Sequence, residues 1–311
     1  MRHLDSPGYR HEALFYRGDG EFLAGTVPLV RDAVAADAAV LVAVPRARSH
    51  ALREALGRDG EAVSFAEMEE LGRNPGRIIG AWRDFIREHA GGDVPPLGIG
   101  EPIWPERTEA ELVECTRHET LLNLAFAPET PWTLLCPYDA ARLAPEVLEA
   151  ARRNHPHLVE EGTAYRSESF VREIPGPEPL PEPASEPVEL RFITGQLGMV
   201  REFLAQRAVQ AGIEGERLSD LVLAVDELAT NSLRYARGEG TLRTWRENGS
   251  LLAEVADGGH IADPLAGRDL PRPDALDGRG LYLVNQLCDL VQLRSSPEGS
   301  VVRVQMQIHP N

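Results

Sequence analysis

Between Ile174 and Val188 the chain reads IPGPEPLPEPASEPV, and this stretch limits the possible folds more than any other. Proline lacks an amide proton and fixes φ, so alternating Pro and Glu excludes a helix or a central strand there. An extended, semi-rigid spacer of roughly 3 Å per residue is expected. It divides the chain into residues 1–173 and 189–311, each of a size that suits one domain. No internal repeat relates the two parts.

The N-terminal part alternates short β-like runs with amphipathic helical runs. Strands are expected over 12–16, 39–44, 62–64, 97–100 and 132–137, and helices over 21–35, 47–56, 75–88, 109–125 and 145–153. The run AVLVAV at 39–44 is apolar at every position, as a strand covered on both faces would be. The β–α alternation predicts an α/β domain, a mainly parallel sheet with flanking helices. His155 and His157 flank Pro156 and are expected as a helix-end feature, and no metal site is expected in this part.

The C-terminal part reads differently. A strand over 188–193 and a helix over 198–211 precede a long helix over 216–236, apolar at 218, 221, 222, 225, 228 and 229. Strands over 240–247 and 251–256 meet at Asn248-Gly249, a dipeptide that favours a tight hairpin. A helix over 281–287 and a second hairpin, 291–295 with 301–307, complete an α+β two-layer sandwich with helices on one face of an antiparallel sheet.

Charge and residue usage narrow the chemistry. The net charge of −17 argues against nucleic acid or an anionic membrane as the main partner. All 32 basic residues are arginine, so neither a P-loop lysine nor a Schiff-base lysine exists. Cys115, Cys136 and Cys288 have no CxxC spacing and read as buried thiols. No apolar run reaches the ~18 residues of a membrane span, and no secretory signal is visible, so a cytoplasmic location is expected.

Three C-terminal motifs carry candidate chemistry. Glu227 and Asn231 lie four residues apart and share one helix face. An amide oxygen suits Mg²⁺, which prefers oxygen ligands and keeps several waters, while the carboxylate can orient or deprotonate a hydroxyl. Asp257-Gly258-Gly259 ends an apolar strand, where the carboxylate can accept from an exocyclic amine and the glycines allow close backbone approach. Gly278-Arg279-Gly280 opens a helix, whose free amides and dipole attract anions. The Pro-, Gly- and Asp-rich segment 260–277 has the length of a loop that closes over a ligand.

In this order the motifs resemble the N, G1 and G2 boxes of the Bergerat-type ATPase fold. LVLAVDELATNSLRYARGEG and GRGLYLVNQLCDLVQLRSSPEGSVVRVQM resemble, within that superfamily, the bacterial anti-sigma-factor serine/threonine kinases. The resemblance implies that Glu227 is the catalytic base and Asn231 the Mg²⁺ ligand. It implies that Asp257 reads adenine and that Gly259, Gly278 and Gly280 belong to the nucleotide loops. Arg279 would neutralise phosphate, and Ser300 would lie near the base. The implied ligands are ATP and Mg²⁺. The implied partners are an anti-sigma antagonist phosphorylated on Ser or Thr, a sigma factor, and a second copy docked through the sheet. The alternatives are a non-catalytic ATP-binding anti-sigma module and a sensor histidine kinase with His118-Glu119 as its acceptor box.

In the N-terminal part, HEALFYRGDGEFL, GEPIWPERT, ECTRHETLLNLAF and LLCPYDAARL resemble the sensory domain of methanogen and methylotroph regulators. That resemblance implies a small-molecule signal. Polar residues in apolar surroundings, Glu101, Trp104, His118, Glu119, Asn123, Cys136, Tyr138 and Asp139, are candidates for one signal pocket.

Overall fold

The computed structural model describes residues 8–89, 91–172, 176, 178–271 and 278–308. Residues 174, 175 and 177 of the expected spacer and 272–277 of the expected closing loop lie outside them. The chain forms two compact units, residues 1–174 and 175–311.

The first unit is α/β. Its elements are β1 (Arg10–Tyr16), α1 (Gly18–Ala35), β2 (Val40–Val44), α2 (Arg46–Leu56), β3 (Ser64–Glu67), α3 (Met68–Leu71), α4 (Ile78–Glu88), β4 (Leu97–Gly100), α5 (Glu109–Ala125), β5 (Thr133–Asp139), α6 (Pro145–Asn154), β6 (His157–Glu160) and β7 (Thr163–Arg166). The sheet order is β3-β2-β4-β5-β1-β6-β7. Pairing is parallel throughout except between β6 and β7. Leu14, Val40, Val42, Val44, Leu97, Ile99 and Leu135 pack with Phe22, Val30 and Leu52 of the helices, which explains the unbroken apolar runs of the central strands.

Three local expectations change. The third strand begins at Ser64, because residues 57–62 form a 3₁₀ turn. The helix expected from Pro75 starts with a 3₁₀ turn over Pro75–Arg77 and becomes α-helical at Ile78. His157 is the first residue of β6 and not a helix-end residue, whereas His155 does cap α6. Helix α5 is held at its start by a capping box between Thr108 and Glu111. Its inward face carries Glu114, Cys115, His118 and Glu119, all buried, where a helix usually presents aliphatic residues.

The second unit is α+β. It contains β8 (Val188–Ile193), α7 (Leu197–Ala211), α8 (Gly215–Tyr235), β9 (Glu239–Glu247), β10 (Ser250–Asp257), α9 (Arg279–Leu287), β11 (Leu290–Ser296) and β12 (Gly299–Gln307). The sheet is antiparallel, in the order β11-β12-β10-β9-β8. Asn248 and Gly249 both have positive φ, 48° and 73°, as a tight hairpin between β9 and β10 requires. Leu221, Ala224, Val225, Leu228 and Ala229 of α8 face Leu251, Ala253 and Val255 of β10 and Val302, Val304 and Met306 of β12 in one core.

The other face of this sheet is not bare. Glu254 of β10 is 2% exposed and is held by Arg243 of β9 and Arg303 of β12, with Arg303 donating at 3.0 and 2.7 Å. The spacer runs across this face. Arg303 donates to the Pro181 carbonyl at 2.9 Å, Arg294 donates to the Glu178 carbonyl at 2.9 Å, and Arg243 lies 3.5 Å from Glu182. Residues 178–182 are thus a strap fastened to the sheet and not a free spacer, because arginines on the strands meet the carbonyls that proline leaves without helix or strand partners.

Candidate functional site

The sequence of α8 places Glu227 and Asn231 one turn apart, half-buried, with Leu228 and Ala229 anchoring the helix in the core. β10 ends at Asp257, opposite Ser300 of β12. The carboxylate of Asp257 is held at both oxygens: Ser232 Oγ donates at 2.6 Å and the Gly259 amide at 2.8 Å. Each oxygen has a second lone pair, so accepting capacity remains. Ser300 Oγ donates to the Gly259 carbonyl at 2.9 Å and lies 2.9 Å from Ser295 Oγ, which accepts from the Ile261 amide at 2.8 Å. These bonds pin the turn after β10 to the β11–β12 hairpin.

Helix α9 starts against the same site. Gly278 has φ 94° and serves as its N-cap. A Cβ on Gly280 would lie 2.7 Å from Glu227 Oε2 and 3.3 Å from Asn231 Nδ2, so a larger residue here would displace those two side-chain ends. Asn285 Nδ2 donates to the Gly267 carbonyl at 2.9 Å and ties the loop back onto α9.

Glu227, Asn231, Asp257, Gly259, Gly278, Arg279, Gly280 and Ser300 all line one cavity of about 370 Å³. Thr230, Ser232, Tyr235, His260 and Ile261 line it as well and had not been singled out from the sequence. Ser232 was legible in principle: it sits one residue beyond Asn231, on the α8 side that faces β10. The cavity combines a carboxylate, an amide, a half-buried acceptor at a strand end and a helix N-terminus, a set that fits a base, a phosphate chain and a divalent ion.

Two sequence segments match known families. Residues 10–156 match the model of the MEthanogen/methylotroph, DcmR sensory domain. Residues 193–306 match that of the histidine kinase-like ATPase domain. The chain carries both domains. No curated protein matches it. Among solved structures, the RsbU and RsbW domains of Rv1364c from Mycobacterium tuberculosis align at 14% identity and TM-score 0.31, covering 40% of this chain and 32% of that one. The Acinetobacter baumannii histidine kinase AdeS aligns at 12% identity and TM-score 0.25, covering 40% of this chain and 70% of that one. The chain thus spans about a third of the length of the first of these relatives. No helix among the described residues is long and apolar enough to cross a membrane.

The sensory-domain candidates fall into two groups rather than one. Glu101 follows β4 and accepts a 2.6 Å hydrogen bond from Tyr16 at the end of β1. Arg48 bridges Asp19 and Asp139 there and lies 5.0 Å from the Tyr16 ring centroid. These groups sit at the carboxyl ends of parallel strands, where open α/β sheets bind ligands. Burial pushes the Glu101 carboxyl up to about 8, against the opposing hydrogen bond from Tyr16. Its Oε2 is buried without a hydrogen bond. Trp104 is half-buried and stacks with the Arg107 guanidinium at 3.7 Å, apart from this group.

Glu119, Asn123, Cys136 and Tyr138 belong to the second group, built around α5 and β5, and His118 is buried on α5 as well. His11 of β1 and His155 at the end of α6, neither a sequence candidate for the pocket, join it. Burial raises the Cys136 thiol and Tyr138 phenol well above their usual ranges, with the charge on Glu119 adding to both. Burial also lowers His11, helped by His155. Burial opposes ionisation of Glu119, but the adjacent His11 and His155 rings outweigh it and keep this carboxyl below its usual range.

Proposed function

We propose that the ATPase domain binds ATP with Mg²⁺ and transfers the γ-phosphoryl group to a Ser or Thr of an anti-sigma antagonist protein, under the control of a signal bound by the sensory domain. One observation carries this reading: three motifs separated by up to about fifty residues line a single cavity, and Gly280 brings the start of α9 against both Glu227 and Asn231. Asp257, its geometry set by Ser232 and Gly259, would accept from the adenine amine. Asn231 would offer an oxygen to Mg²⁺. The α9 N-terminus with Arg279 would hold phosphate oxygens.

When bound, Mg²⁺·ATP supplies an activated phosphoryl group whose transfer depends mostly on positioning and charge neutralisation. Glu227 Oε2 would take the proton of the attacking hydroxyl as its oxygen bonds to phosphorus and the β–γ bridge breaks. Control of sigma-factor availability follows if the antagonist loses its partner on modification. The acceptor-histidine alternative is poorly supported, since His118 is 1% exposed inside α5.

The test uses the full chain with and without Mg²⁺, with the antagonist identified by co-purification from the native host. Glu227→Ala should retain nucleotide binding and lose at least ~100-fold in phosphoryl transfer, the usual range for a general base. Asn231→Ala should lose the Mg²⁺-dependent part of nucleotide affinity. Binding that survives in both variants while wild-type protein transfers nothing would leave a non-catalytic ATP-binding module. Absence of nucleotide binding in wild-type protein would remove the proposal.

A further inference from the structure

The second polar group of the sensory domain has the composition and spacing of a metal centre. His11 comes from β1, Glu119 from α5, Cys136 from β5 and His155 from the end of α6. All four are at most 1% exposed, and their donor atoms lie within 4.8 Å of one another. Glu119 Oε2 is 3.2 Å from His11 Nε2 and 3.3 Å from His155 Nε2, and Cys136 Sγ is 3.4 Å from His11 Nε2. Four ligands placed tetrahedrally at Zn–N of ~2.0–2.1 Å and Zn–S of ~2.3 Å would stand about 3.3–3.7 Å apart. Three of the six separations, those from Glu119 to both imidazoles and from Cys136 to His11, fall close to those edges, and the whole set lies within 4.8 Å, so binding draws the remaining donors inward.

The surrounding bonds orient the lone pairs. Asn123 Nδ2 donates to the Asn154 carbonyl at 2.7 Å, which turns its Oδ1 toward His11 Nδ1 at 3.1 Å. His155 Nδ1 donates to the Ala151 carbonyl at 2.8 Å. Each imidazole therefore carries its proton on Nδ1 and turns Nε2 toward Glu119. Outer partners on Nδ1 that leave Nε2 free are the usual support of a metal-binding histidine. Glu119 Oε1 and His155 Nε2 make no hydrogen bond despite full burial. Two ring nitrogens that face one carboxylate in a dry interior call for positive charge between them, a proton or a metal ion.

We propose that His11, Glu119, Cys136 and His155 form a closed tetrahedral site for a zinc-class divalent ion. The donor set favours this class: imidazole and thiolate suit zinc, whereas Mg²⁺ and Ca²⁺ demand oxygen ligands. Charge also balances. On binding, the Cys136 S–H bond breaks, its proton leaves to solvent and an S–Zn bond forms. Carboxylate, thiolate and divalent ion then sum to zero, as a buried site requires. With four protein ligands the centre has no open position, so it ties β1, β5, α5 and α6 together and performs no hydrolysis. Occupancy of this site would overturn the sequence expectation that the N-terminal part lacks a metal site. The ligands come from four elements, with His11 and Glu119 108 residues apart, and no short motif announces them.

The test is metal content and cobalt spectroscopy on the full chain. Protein passed through gel filtration should retain one zinc per chain by mass spectrometry. Protein produced with Co²⁺ should show the strong visible bands of a four-coordinate ion and a near-ultraviolet sulfur-to-cobalt band. Cys136→Ser should lose the sulfur band, and His155→Gln should weaken the visible bands, with folding of each checked by circular dichroism. Wild-type protein that retains no ion and gives only the six-coordinate cobalt spectrum overturns the proposal, since an imidazolium–carboxylate pair then holds the cluster. So does a folded Cys136→Ser chain with an unchanged spectrum. If a variant does not fold, the wild-type zinc content and cobalt spectrum decide.

Discussion

At the scale of single residues, two positions are set by what lies against them. A methyl group on Gly280 would meet Glu227 Oε2 at 2.7 Å and move that carboxylate. Gly280→Ala should turn the Glu227 carboxylate away from its position and weaken ATP binding about tenfold, corresponding to ~1.4 kcal/mol, with little change in thermal stability. Glu101 is the other. Its carboxyl is raised to about 8 in the folded chain, from 4.5 when exposed. Folding therefore keeps a proton that the unfolded chain releases between those values, and stability falls as pH rises through that window. Melting temperature followed from pH 4.5 to 8 should decline in wild-type protein and decline less in Glu101→Gln, a neutral shape-mimic. Equal slopes would show that Glu101 ionises freely. The candidate site in the ATPase domain was legible because its residues fall in short motifs with local reasons: a shared helix face, a strand end, glycines before a helix. The buried sensory cluster was not. His118, Glu119, Asn123 and Cys136 could be marked as polar residues among apolar ones, but His11 and His155 gave no such signal, and only the packing of α5 and the end of α6 against the sheet brings them together.

At the scale of elements, periodicity identified the long helices and the strands of the second unit, where one face packs on a core and the other does not. It failed for β6 and β7. These strands have four residues each, and all four of β7 are exposed, so no alternation marks it. The composition of 178–182 excluded helix and central strand but could not reveal the strap, which depends on arginines more than a hundred residues later. One of them, Arg303, also holds Glu254, together with Arg243. Arg303→Ala would leave that buried carboxylate with Arg243 alone and remove the anchor of Pro181. A loss of about 3 kcal/mol is expected in denaturant unfolding, as for other broken buried pairs. A change within ~0.5 kcal/mol, the range of ordinary surface substitutions, would mean that water replaces the guanidinium without penalty.

At the scale of the whole molecule, the two units have separate cores, and each encloses cysteine: Cys115 and Cys136 in the first, Cys288 in the second, all buried. A thiol-reactive dye can reach them only when the surrounding structure opens, so its rate of attachment times that opening, site by site. One chain thus contains its own pair of clocks. Saturating ATP with Mg²⁺ should slow the Cys288 clock, by up to roughly a hundredfold when nucleotide is at one hundred times its Kd and opening expels it. The Cys115 clock should keep its pace unless the signal domain feels the nucleotide. Peptide mapping of the attached dye would then read, in a single tube, whether news of occupancy crosses from one half of the protein to the other.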